Sequence, residues 1–158
     1  MARALAAVTV VALALAGAAA GRSSEMVISV ISTATSEQQH DTGKKGPSVG
    51  DYVVMTDGLT NAVRQFGKAR GALIGSDRAV ERLVAGGGVR IEGTTKLPGG
   101  TLHVSGRLRT DAQGRAIAPV VGGTGRYDGA TGTLTVVNLT SAGNVALNVY
   151  RLNLLPVT

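Results

Sequence analysis

The chain contains no cysteine and no tryptophan, one phenylalanine, three tyrosines, two histidines and four prolines. Without cysteine there is no disulfide framework, no thiolate zinc site and no cysteine nucleophile. His40 and His103 are the whole supply of imidazole. They are too few for a multi-histidine metal site and a thin basis for a serine–histidine triad, so neither a metal nor a cofactor is expected. So few aromatic rings leave little on which single-stranded nucleic acid could stack. Basic residues outnumber acidic ones, for a formal net charge of +6, but they are scattered and only Lys44-Lys45 are adjacent. That distribution reads as a solvated surface rather than a nucleic-acid footprint.

What the chain has is aliphatic residues and glycine. Of its 158 residues 44% are hydrophobic, 16% are charged and 23 are glycine. This composition suits one globular domain. The N-terminus places Arg3 before an uncharged Ala/Leu/Val run, Ala4 to Ala16, and then Gly17-Ala18-Ala19-Ala20. A charge, an apolar stretch and a small-residue cleavage site are the order of a secretory leader. A membrane anchor wants ~20 apolar residues, which this run reaches only by counting its small terminal residues. The expectation is a leader over 1–20, a secreted domain over 21–158 and no stable membrane anchor after cleavage.

In the remainder, β-branched segments alternate with turn chemistry. Met26 to Thr35, Val49 to Thr56, Val89 to Leu97, Thr101 to Leu108, Ala116 to Val121, Thr133 to Thr140 and Val145 to Leu155 read as strands. Arg78 to Ala85 fits either a helix face or a strand face. Ser36 to Ser48 reads as a loop, and Asp57-Gly58 as the start of a turn. Pro98-Gly99-Gly100 is a hairpin signal. About eight short strands and no clear helix predict an all-β protein, a single eight-stranded antiparallel barrel, since closure removes exposed edges. Gly71, Gly93, Gly106 and Gly132 are expected to bend strands at barrel corners.

Three short motifs carry little chemistry. Gly123-Thr124-Gly125 follows a strand but leads into no helix, so it lacks the N-terminus that a phosphate requires. It reads as a tight connection between barrel strands. Asp41-Thr42-Gly43 lacks the apolar strand that precedes an aspartic-protease motif. Asn138-Leu139-Thr140 is a glycosylation triplet set in a strand. Asp51, Asp57, Glu92 and His103 lie in or beside apparent strands, and an inward carboxylate in an apolar barrel would have a raised pKa and could relay a proton.

The string Val121-Gly122-Gly123-Thr124-Gly125-Arg126-Tyr127-Asp128-Gly129-Ala130-Thr131-Gly132 resembles the Gly-Gly-(Thr/Ser)-Gly-x-aromatic segment of the allene oxide cyclase barrel superfamily, which includes the dirigent proteins. Gly50 to Leu59, Gly67-Lys68-Ala69-Arg70-Gly71 and Gly100 to Gly106 are similar to further segments of that superfamily, in the same order. The resemblance implies an eight-stranded antiparallel barrel, forming a trimer or dimer, that binds an apolar small molecule and steers a cyclisation or coupling without a cofactor. It places Asp57, followed by Leu59-Thr60, where dirigent proteins carry an Asp before Leu-Thr. The first-strand Glu and Asn of the cyclases have no match in Met26 to Thr35, and Thr131 stands where dirigent proteins have Arg. Those departures point to another ligand, such as a polyketide-type intermediate.

The expected function is a cofactor-free cyclase or isomerase. Asp57 would be the proton relay, Tyr52 and Tyr150 hydroxyl donors, and Glu92 and His103 ligand-binding groups behind them. The alternatives are a non-catalytic secreted barrel that binds a small molecule, and a structural barrel with a filled interior.

Overall fold

The structure is a computed structural model that describes residues 24–43 and 45–155. The expected leader lies outside the described residues. Nine strands follow one another: β1 (Ser24–His40), β2 (Tyr52–Asn61), β3 (Leu73–Val84), β4 (Gly88–Leu97), β5 (Gly100–Arg107), β6 (Arg109–Thr110), β7 (Ala116–Gly125), β8 (Thr131–Asn138) and β9 (Val145–Leu154). They form one antiparallel sheet in the order β5-β4-β3-β2-β1-β9-β8-β7-β6, and β5 also pairs with β7. That last pairing closes eight strands into a barrel. The two-residue β6 pairs with β7 alone. Among the described residues no helix is long and apolar enough to cross a membrane.

Alternation decides which side chains go inside. On β1, Ile28, Val30 and Ser32 are buried while Val27 is exposed. Their partners on the same face are Tyr150, Asn148 and Ala146 of β9. Arg78 to Ala85 resolves as strand: β3 runs through it to Val84, and Gly86 and Gly87, with φ of 81° and 72°, turn the chain into β4.

Three local expectations are corrected. Ser36 to His40 is not loop but the end of β1, paired with Thr56 to Tyr52. The β1–β9 ladder ends at Thr33↔Val145. Beyond it β1 has β2 as its one paired neighbour and its side chains are exposed, so polar residues are tolerated there. Asp57-Gly58 is the middle of β2, paired with β1 on one side and β3 on the other; two ladders outweigh a local turn preference. Gly71 lies in a turn at φ 81°, not in a strand. A bulge between Ala34 and Ser36 changes the face of β1. Past it, Glu37 and Gln39 share the inner face with Met55 and Val53.

One end of the barrel is sealed. Leu59, Leu102, Tyr127, Ala130 and Leu152 are buried there, at 1% exposure or less. The glycine-rich string does the sealing. After β7 the chain turns at Arg126–Gly129 and sends Tyr127 inward, where its hydroxyl donates to the Pro98 carbonyl at 3.0 Å. The Arg126 amide donates to the Gly99 carbonyl at 2.8 Å. A Cβ on Gly123 would lie 2.5 Å from the carbonyl oxygens of both Thr101 and Tyr127, whereas one on Gly122 would meet nothing. Gly123→Ala is therefore expected to cost about 1–3 kcal/mol by overpacking, and Gly122→Ala almost nothing. Urea midpoints of the two variants check this, and equal midpoints would contradict it.

Candidate functional site

The opposite end of the barrel is open and polar. β2 and β3 are in register at Asp57↔Asp77, and β3 and β4 at Asp77↔Thr95. Asp57, Asp77 and Thr95 thus form a row across the inner wall. Glu81 lies on the same face of β3, closer to the mouth. β3 segregates its charges: Asp77 and Glu81 point in, while Arg78 and Arg82 alternate outward. A cavity of about 120 Å³ lies over this row, lined by Asp57, Asp77, Glu81, Ser32, the amides of Asn138, Asn144 and Asn148, and apolar side chains.

The polar groups are individually held. Ser32 Oγ donates to Asp57 Oδ2. Below the carboxylates the Tyr150 hydroxyl, fully buried, shares a 2.9 Å hydrogen bond with Thr95 Oγ1. Burial, and then the charge of Asp57 beside it, pushes the Asp77 carboxyl up from 3.8 to about 7. Burial, and then the charge of Glu37 on β1, raises Glu81 above the usual carboxylate range. Burial also raises the Tyr150 phenol, so it stays neutral. The arrangement offers a carboxyl that both gives and takes a proton near neutrality, a second carboxylate fixed by a hydroxyl, and a neutral phenol buried beside Thr95. A carboxyl moved toward neutrality inside a cavity is a candidate for acid–base chemistry.

Of the five residues singled out from the sequence, one, Asp57, lines this cavity, and Tyr150 is buried next to it, bonded to Thr95 and within the field of Asp77 and Asp57. Tyr52 alternates to the outer face, where its ring stacks on His40 at 4.4 Å and lies under the Arg82 guanidinium at 4.4 Å. There it lines a second hollow of about 400 Å³, open at the rim, that also touches Glu81. That hollow is the larger, but the inner one holds the carboxylate row. Glu92 does not reach either: it is exposed and lies 3.4 Å from Arg90. His103 also faces outward, 3.3 Å from Thr94 Oγ1. Both alternate with inner-face neighbours, Ile91 and Gly93 on β4 and Leu102 and Val104 on β5, so the structure places them on the outer face rather than in the inner cavity. Asp51 does not face inward either. It accepts from the backbone amides of Thr42 at 2.9 Å and Ser48 at 2.7 Å, which holds the 42–48 loop and keeps its carboxyl below the usual range. Asp77 and Glu81 were missed, although a strand with acids on one face and arginines on the other carried the signal.

A closed antiparallel barrel, sealed at one end and holding carboxylates at the other, defines the class: an eight-stranded β-barrel with a carboxylate-lined cavity. The family model for dirigent-like proteins matches residues 18–154, and the chain belongs to that family. Several solved structures share the fold. A pyocyanin demethylase aligns with a TM-score of 0.64 at 21% identity, over 81% of this chain and 100% of that one. A Diels-Alderase from Streptomyces koyangensis aligns with a TM-score of 0.65 at 17% identity, over 88% and 72%. A pterocarpan synthase dirigent protein aligns with a TM-score of 0.60 at 15% identity, over 83% and 84%. A search of curated proteins by sequence found no match.

Proposed function

We propose that the barrel binds an apolar small molecule and steers its cyclisation by confinement and acid–base chemistry, without a cofactor. The observation that carries this reading is the pair of carboxyls at one register position, Asp57 and Asp77, facing a cavity that has both polar and aliphatic walls. Confinement folds a flexible chain into a near-attack geometry. Asp77, half protonated near neutral pH, donates its proton to one substrate atom and recovers a proton from another as the ring closes, so the step is an isomerisation, and Asp57, fixed by Ser32, orients the reacting group. The inner cavity, about 120 Å³, takes only a group near the size of benzene. A polyketide-type substrate would place one end there and extend through the mouth into the rim hollow beside Glu81. Cyclases of this fold, among them the Streptomyces Diels-Alderase, support the reaction class. We also read residues 1–20 as a cleaved leader and the mature protein as secreted.

The test is mass spectrometry of small molecules that co-purify with the protein from its native host, followed by incubation of what is found. Asp57→Asn, in a folded protein, is expected to change the product ratio or to slow turnover by about tenfold or more. Glu92→Gln and His103→Ala, on the outer wall, are expected to leave both unchanged. A ligand that is retained and returned unaltered would make the protein a carrier and refute the cyclase reading.

A further inference from the structure

We propose that the group seated in the inner cavity is a hydrogen-bond-donating cation, a protonated amine on an apolar body. This deepens the reading above and rests on it. The charged groups of the cavity are all carboxyls, and its other polar groups are the neutral amides of Asn138, Asn144 and Asn148 and the Ser32 hydroxyl. Asp57, Asp77 and Glu81 line it, and the Ser32 hydroxyl is already committed to Asp57. The chain carries 16 Lys and Arg, yet among the described residues none lines this cavity. The carboxylates therefore have no cation of the protein's own facing them there.

A second observation points the same way. Asn148 lines the cavity, is 5% exposed, and its side-chain oxygen has no hydrogen-bond partner. A buried acceptor without a donor costs free energy that a ligand N–H recovers. An ammonium group supplies three donors and a charge that the carboxylates stabilise. A metal ion is a poorer occupant: among the described residues no group of three or more His, Cys, Asp or Glu side chains is arranged to hold one. The apolar wall, with Ile91, Leu134 and Val136, receives the body that carries the amine.

The groups facing Asp77 set how this recognition varies with pH. They are Asp57 on β2, Glu81 on β3, Thr95 on β4, and Tyr150 and Asn148 on β9, with Glu37 of β1 nearer the mouth. All are acidic or neutral, so lowering the pH protonates the cluster and weakens its hold on a cation.

The test uses three probes with one body: benzylamine, benzyl alcohol and benzoate, titrated into the isotopically labelled protein at pH 8 and followed by amide NMR shifts. Benzylamine is expected to bind at least ~10-fold tighter than benzyl alcohol, with shifts at Asp57, Asp77 and Asn148, and benzoate not to bind. The preference is expected to shrink at pH 5.5 and to fall below ~3-fold in Asp77→Asn/Glu81→Gln. Benzyl alcohol binding as tightly as benzylamine at the same residues would overturn the cation proposal and leave the small-molecule barrel standing. The same shifts produced by calcium chloride would overturn it in favour of a metal. If none of the three probes perturbs the cavity, both this proposal and the reading beneath it fall. The comparison among probes in the unaltered protein stands even if the double variant does not fold.

Discussion

Asp77→Asn is expected to yield a protein that unfolds later than wild type above pH 7 yet turns over ligand about 10²–10⁴ more slowly. The stability half follows from linkage. The folded-state carboxyl of Asp77 titrates at about 7, against an ordinary value of 3.8. Between those two values the folded chain keeps a proton that the unfolded chain has released, so stability falls as pH rises, by about 1.4 kcal/mol per pH unit. The benefit of the protonated form is complete below the ordinary value and gone above about 7. Across the window the loss is on the order of 4 kcal/mol. Asparagine has nearly the same shape and no proton to lose, so it escapes this penalty and the repulsion from Asp57. Urea midpoints of wild type and variant should therefore nearly coincide at pH 4 and diverge by pH 8. The kinetic half follows because the amide cannot exchange the proton. A variant less stable than wild type at pH 8 would show that Asp77 is ionised and well solvated in the folded state. That would remove the main reason for assigning it acid–base work.

Much of the barrel was readable before any coordinates. Alternating Val, Ile and Thr segments marked most of the strands, Pro98-Gly99-Gly100 marked a hairpin, and the glycine string marked a tight connection. The inner face was harder. Which side of a strand points inward depends on register, and a single-residue offset exchanges every face. Glu92 and His103 look like pocket residues until Ile91 and Val104 are seen to occupy the inner face beside them. The bulge at Ala34/Ser36 makes the same exchange within one strand, bringing Glu37 to the inside. Asp77 sat at the edge of a stretch that fitted helix or strand equally well, so its pairing with Asp57 had no local signature. It arises from a ladder between β2 and β3 that only the closed sheet defines. Asp57 stood out because the family resemblance marked it, and the structure then gave that position a neighbour.

Tyr127→Ala is expected to bring the protein to the edge of unfolding. The ring is fully buried at the sealed end, among the largest side chains with no solvent contact. Truncating a buried aromatic costs about 3–5 kcal/mol from lost transfer free energy and the void left behind. That is a large part of the ~5–15 kcal/mol that holds a typical domain folded. Relaxation offers little relief here. The backbone around the ring is locked by the amide of Arg126 on Gly99 and by the approach of Tyr127 to Gly123, where there is no room even for a methyl group. The hydroxyl matters less than the ring: Tyr127→Phe loses one bond to the Pro98 carbonyl, a cost of about 1 kcal/mol. Urea unfolding should therefore rank wild type above Tyr127→Phe by a small step and Tyr127→Ala below both by a large one. Equal midpoints for the two variants would mean that the hydrogen bond, not the buried ring, shuts the barrel. In that case the glycine string would be needed for the geometry at Pro98 rather than for making room for an aromatic plug.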